Sequence, residues 1–195
     1  MNLPDNPKTL RMYDRLMKSC HRLGIETDRL TEAIDWAAVK HRSQTRKDVD
    51  RTPYIIHPIG VCLILIQEAD VRNLEVLIAA ILHDVLEDTQ TTVDEMAVKF
   101  GTTITEIVKE VTNPKGLKSA DAKEWQISHV PSMSHEARLV KLADRLYNLR
   151  DMHPPPACWD QAKINIYLDC SRRLVDSIRG THSSLESLID RELSN

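Results

Sequence analysis

The run LHDVLED at residues 82–88 sets a histidine directly before an aspartate at the end of an apolar stretch, so two metal-ligand types sit beside a dry core. Taken alone such a pair is more often a surface or capping feature, and its surroundings have to carry the argument. Glu87 follows His83 by four residues and Asp88 follows Asp84 by four, so on a helix all four side chains project in related directions around one end. Three carboxylates that close repel one another. A divalent cation would relieve the repulsion, and otherwise the helix end needs Lys or Arg partners or open solvent. Asp144, in KLADRLYNL, interrupts an apolar helical face made by Leu142, Ala143 and Leu146. A buried carboxylate needs a partner, which could be a metal ion, Arg145, Arg150 or a backbone amide. His57 follows Ile55 and Ile56 and is read either as a ligand or as a hydrogen-bonded core histidine. Together His57, His83 with Asp84, and Asp144 form a spaced set of nitrogen and oxygen donors without thiolates. That set suits one borderline or hard divalent ion, with Mn²⁺ expected and Fe²⁺ or Zn²⁺ as the other candidates.

Helices must position these residues. From Asp28, Leu30, Ile34, Ala37 and Ala38 fall on one helical face, and the basic stretch HRSQTRKDVDR that follows reads as a loop. Pro53 and Pro58 bracket TPYIIHP, which puts His57 at the entrance of a helix running to about Ala69. The next helix, expected over 73–87, is apolar nearly all round and should be the buried centre of a bundle. Thr92 with Glu95 and Thr103 with Glu106 read as capping boxes opening two short helices separated by Gly101. A polar segment with Lys115, Lys118 and Lys123 leads to a helix over 134–151. After Pro154, Pro155 and Pro156 come a long helix carrying Trp159, Ile164 and Tyr167 and a last one over 185–193. Trp159, Tyr54 and the methionines read as core or cleft wall.

The chain has 195 residues, room for one well-filled core, and only 5 glycines and 1 phenylalanine, a composition that leans to helices. An all-α, single compact helical bundle is expected. Residues 1–27 are read as an N-terminal extension, helical in part, and 28–195 as the catalytic domain. A net charge of −3 argues against wholesale binding to nucleic acid, so any phosphate site must be local. No apolar run approaches membrane-spanning length, and Asp84 interrupts the longest. Four scattered cysteines without a CxxC pair or a signal-peptide pattern fit a reducing, cytoplasmic compartment. Oligomeric state is not readable from the sequence.

Five segments in order, KHRSQTRKD, TPYIIHPIGV, LHDVLEDT, EVT and KLADRLYNLRDM, spanning residues 30–167, resemble the hydrolase domain of RelA/SpoT-type alarmone enzymes of the HD superfamily, and especially their small metazoan branch. The resemblance implies an HD-domain bundle that hydrolyses the 3′-pyrophosphate of guanosine 3′,5′-bis(diphosphate), with removal of the NADPH 2′-phosphate described for the metazoan branch. It implies that His57, His83, Asp84 and Asp144 bind the metal, with Glu87 and Asp88 at the catalytic positions beside the attacking water. It also assigns Arg46 and Lys47 to the base and phosphates, Asn148 to the nucleoside, and Lys163 and Tyr167 to phosphate. Lys163 stands where the pattern has arginine. The rival readings are a general HD nucleotidase for 5′-nucleotides and a catalytically silent nucleotide-binding module.

Overall fold

The computed structural model describes residues 2–194, apart from the side chains of Ser119 and Ala120. Met1 and Asn195, the outer ends of the two expected segments, lie outside the described residues. The chain is all-α: α1 (Pro7–Leu23), α2 (Asp28–Lys40), α3 (Ile56–Glu68), α4 (Leu74–Leu82), α5 (Val85–Asp88), α6 (Val93–Phe100), α7 (Thr102–Val111), α8 (Ser119–His129), α9 (His135–Arg150), α10 (Gln161–Ser177) and α11 (Ser183–Ser194). Among the described residues there is no strand, only an isolated bridge between Thr45 in the basic loop and Pro53 just after it. No described helix is long and apolar enough to cross a membrane.

Helix starts follow local chemistry. Asn6, Asn73, Thr92, Ser134 and Asp160 each accept hydrogen bonds from backbone amides in the first turn of α1, α4, α6, α9 and α10. The second expected capping box is absent: α7 starts at Thr102 after Gly101, whose φ of 89° is a left-handed value open to glycine, and Thr103 lies inside the first turn. α4 is the buried centre, with every residue from Val76 to Leu82 in the core and α2, α3, α7 and α9 packed around it. α1 packs on α3 and sends Leu16 and Cys20 into the same core.

Two elements depart from expectation. The helix expected over 73–87 breaks at His83 and Asp84 into α4 and α5. The His83 ring is the cause: its Nδ1 lies 2.7 Å from the Ala80 carbonyl oxygen, the acceptor an uninterrupted helix would offer to the Asp84 amide. The polar segment before Pro131 contains α8, which has no apolar stripe and so gives no periodic signal. It is held by Trp125 stacked on His129 at 4.0 Å, by Ile127 against the core, and by α10.

Gly60 sets the spacing of α3 and α9. It lies one turn after His57 and meets Tyr147, nearly one turn after Asp144, so closely that a Cβ on it would lie 2.0 Å from the tyrosine ring. Only the smallest residue lets the two helices carrying His57 and Asp144 approach this far.

Candidate functional site

α3, the break between α4 and α5, and α9 deliver the four expected ligands to one point. His57 Nε2 lies 3.2 Å from His83 Nε2 and 3.2 Å from Asp144 Oδ1. His83 Nε2 lies 2.9 Å from Asp84 Oδ2 and 3.8 Å from Asp144 Oδ1, and Asp84 Oδ2 is 3.5 Å from His57 Nε2. Adjacent ligands on metal bonds of about 2.1 Å are about 3 Å apart, so these separations match a shared ion. His57, His83 and Asp144 form a mutually close trio able to hold a metal; Asp84 stands against both histidines outside that trio. The alternative partners make no ion pair with Asp144: Arg150 pairs with Glu68 at 2.6 Å, and Arg145, whose charge acts on Asp144 at longer range, has its side-chain bond to Ser171 Oγ at 3.3 Å. With donors of this type, this spacing and no Lys or Arg ion-paired to either aspartate among the described residues, the site fits a divalent ion.

Surrounding groups orient the donors. Because a carbonyl oxygen only accepts, the Ala80 bond places a proton on His83 Nδ1 and turns Nε2, the nitrogen free to ligate, toward the other donors. Tyr54 donates its hydroxyl to Asp84 Oδ2 at 2.6 Å, while its ring packs 4.9 Å from that of His41 and 5.6 Å from that of His57. His57 Nδ1 has no comparable support, being buried without a partner. Burial lowers the His57 pKa, whereas at His83 the same burial is outweighed by Asp84 and Asp144, which push the ring up to about 10. Burial works to raise Asp144 too, but bonds to both histidines hold it well below the usual carboxylate range. The cluster's own charges thus favour a positive centre where the nitrogen and oxygen donors meet.

The catalytic candidates differ in their surroundings. Glu87 is held by Asn113, whose backbone N donates at 3.0 Å and Nδ2 at 2.8 Å. Asp88 opens to solvent, yet partial burial and then the charges of Asp84 and Glu87 push it up to about 6. Both line a cleft of about 1360 Å³ together with Arg46, Lys47, Asn148 and Tyr167. Asn148 is engaged within the protein: Nδ2 donates to Asp144 Oδ1 at 2.6 Å and Oδ1 accepts from Arg46 at 2.8 Å. Arg46 is also paired to Asp151 at 2.7 Å and lies over the Tyr54 and Tyr147 rings. Lys163 is absent from the cleft wall; its Nζ lies 4.8 Å over the ring of Trp159, which does line it.

Sequence reasoning gave Lys141 no place on the cleft, weighed Arg145 only as a partner for Asp144, and passed over Asn113 and the hydroxyl of Tyr54. A signal existed for the first two: on α9 the positions 141, 144, 145 and 148 follow helical spacing and are all polar, a stripe on a helix otherwise sunk in the core. Asn113 and Tyr54 carry no such mark, since their roles depend on loops meeting helix ends.

The family model for the HD domain matches residues 33–174. The guanosine-3′,5′-bis(diphosphate) 3′-pyrophosphohydrolase MESH1 of Homo sapiens is 45% identical over 168 residues, covering 86% of this chain and 94% of that protein. MESH1 of Danio rerio is 44% identical over 163 residues, covering 83% of this chain and 91% of that one. A solved structure, described as a metazoan ortholog of SpoT that hydrolyses ppGpp, superposes with a TM-score of 0.84 at 39% identity over 87% of this chain and 96% of its own. Joined to a site in which an HD pair, a second histidine and a distant aspartate converge, these likenesses make the chain a member of the HD-domain family, in its MESH1 branch.

Proposed function

We propose that the protein hydrolyses the 3′-pyrophosphate of guanosine 3′,5′-bis(diphosphate) to GDP and pyrophosphate, using one Mn²⁺ held by His57, His83, Asp84 and Asp144. The observation that carries this is the convergence of two imidazole nitrogens and two carboxylates, with Glu87 and Asp88 one turn away on the same cleft. The human and zebrafish relatives named for this activity add the substrate.

When bound, the ion supplies Lewis-acid polarisation of the phosphoryl oxygen and a lowered pKa for the attacking water. The chain's residues do the rest. Asp88, raised to about 6, accepts a proton from the water, while Glu87, fixed by Asn113, orients it. The water oxygen bonds to the phosphorus attached to the 3′-oxygen; that P–O bond breaks, and the 3′-oxygen leaves with its electron pair and takes up a proton. Arg46 offers a planar face to the base and Lys47 a charge to phosphate, and Tyr167 walls the far side. Residues 28–195 form the catalytic unit and α1 an extension seated on α3. A reducing cytoplasmic compartment belongs to the reading, in keeping with four unpaired thiols.

The test is product release from guanosine tetraphosphate, NADPH and a panel of 5′-nucleotides, with chelated protein compared against protein given Mn²⁺. Metal-dependent pyrophosphate from the first is the expected result. Orthophosphate from NADPH would add the 2′-phosphatase activity. Turnover of 5′-nucleotides alone would make the chain a general nucleotidase, and no release from any substrate would make it a silent binding module.

A further inference from the structure

Two cations in the cleft make no direct ion pair among the described residues. Lys141 and Arg145 lie four residues apart on α9, only 6% and 8% exposed, and both line the cleft beside Asp144. Among the described residues, neither appears in an ion pair within 4 Å. The contacts they make are weak or neutral: Lys141 Nζ is 3.4 Å from the Val111 carbonyl, and Arg145 reaches the Ser171 hydroxyl at 3.3 Å and lies over the Tyr167 ring. Arg145 Nε is buried with no hydrogen-bond partner. Arg46, Arg150, Arg173 and Arg179, by contrast, each meet a carboxylate within 3 Å.

A buried charge without a partner is among the costliest arrangements in a protein. The Asp144 charge acts on both at longer range, but its oxygen is turned to the two histidines and to Asn148, so neither cation has a direct carboxylate partner. Here the unbalanced charges sit at the wall of an open cleft beside the metal ligands, where a counter-ion can arrive with a ligand. A mobile ammonium and a guanidinium with an unused N–H suit the oxygens of a diphosphate.

We propose that Lys141 and Arg145 form a pyrophosphate subsite, holding the terminal phosphate of the pyrophosphoryl group while water attacks the phosphorus bound to the 3′-oxygen. The proposal deepens the reading given above and rests on it. It predicts that a diphosphate is held more tightly than a monophosphate at the same position.

Inorganic pyrophosphate and orthophosphate are titrated by calorimetry, at saturating Mn²⁺, into the wild-type protein, Lys141→Met, Arg145→Gln and Arg145→Lys. Bound Mn²⁺ and helical circular dichroism are measured on each. The wild type is expected to bind pyrophosphate at least about tenfold more tightly than orthophosphate. Each neutral variant should lose about tenfold or more in pyrophosphate affinity while keeping orthophosphate affinity, metal and helix content. Should a neutral variant not fold, Arg145→Lys carries the test: it retains the charge, gives up the planar fork, and should weaken pyrophosphate alone. Unchanged pyrophosphate affinity in the folded variants overturns the subsite. So does a loss accompanied by loss of Mn²⁺, which would make the two cations supports of Asp144. If the wild type shows the expected preference but releases no pyrophosphate from guanosine tetraphosphate, the subsite stands and the substrate assignment falls.

Discussion

Replacing Tyr54 with phenylalanine isolates one hydrogen bond. The ring that packs on His41 and His57 is kept, and only the hydroxyl donating to Asp84 Oδ2 at 2.6 Å is lost. A hydrogen bond to a charged group contributes about 1.5–3 kcal/mol, and loss of a residue that orients a metal ligand typically costs about 10- to 100-fold in metal affinity. Asp84 keeps its contact with His83 Nε2 at 2.9 Å, so the lower part of that range applies, about 10- to 30-fold weaker Mn²⁺ binding. Competition against a fluorescent chelator at neutral pH measures it directly. Turnover at saturating Mn²⁺ should return to within a few-fold of wild type, because the defect lies in holding the ion. Unchanged metal affinity would refute the idea that Tyr54 fixes Asp84. A fall in turnover that excess Mn²⁺ does not rescue would mean that the hydroxyl serves the reaction itself.

Asp144→Ala should abolish both metal binding and turnover while circular dichroism shows the helices intact; loss of folding alone would make this aspartate structural. Asp88→Asn should lower turnover yet raise the melting temperature of the chelated protein at pH 7. The folded-state pKa of Asp88 is raised from 3.8 to about 6, so its neutral form is favoured and the charge becomes a burden as pH climbs through that window. The stabilisation should vanish below about pH 4, where wild-type Asp88 is already protonated in both states, and a constant difference at all pH values would refute the assignment. Gly60→Ala gains about 1 kcal/mol of helix propensity but forces Tyr147 or α9 away, an overpacking cost of about 1–3 kcal/mol; weaker Mn²⁺ binding with little change in melting temperature is the expected pattern.

The convergence of the four candidate ligands was legible because histidines and aspartates are out of place in the apolar runs around Ile56, Leu82 and Ala143, and their isolation in otherwise buried helices marks them. The all-α bundle was legible for the same reason, from helical spacing in α2, α4 and α9. What escaped depends on contacts between segments distant in sequence. Nothing in LEVLIAAILHDVLED shows that the His83 ring takes the Ala80 carbonyl and breaks the helix. α8 escaped because its side chains answer to α10 and to each other instead of to a single apolar face. Asn148 lies on the cleft as expected, but its amide is committed to Asp144 and Arg46, while Lys163 stands behind Trp159, a distinction that helical spacing alone does not carry.

The proposed ligands are residues 57, 83, 84 and 144, on three segments far apart in the chain, and so an ion held by all of them would act as a cross-link. It would oppose separation of α3 from α9, the step that exposes the shielded amides of α4 to exchange and the backbone to proteases. Stability should therefore grow with the logarithm of free metal concentration above the dissociation constant. In a cell where the ion is scarce, the lifetime of the polypeptide, and not only its rate of turnover, would follow metal supply.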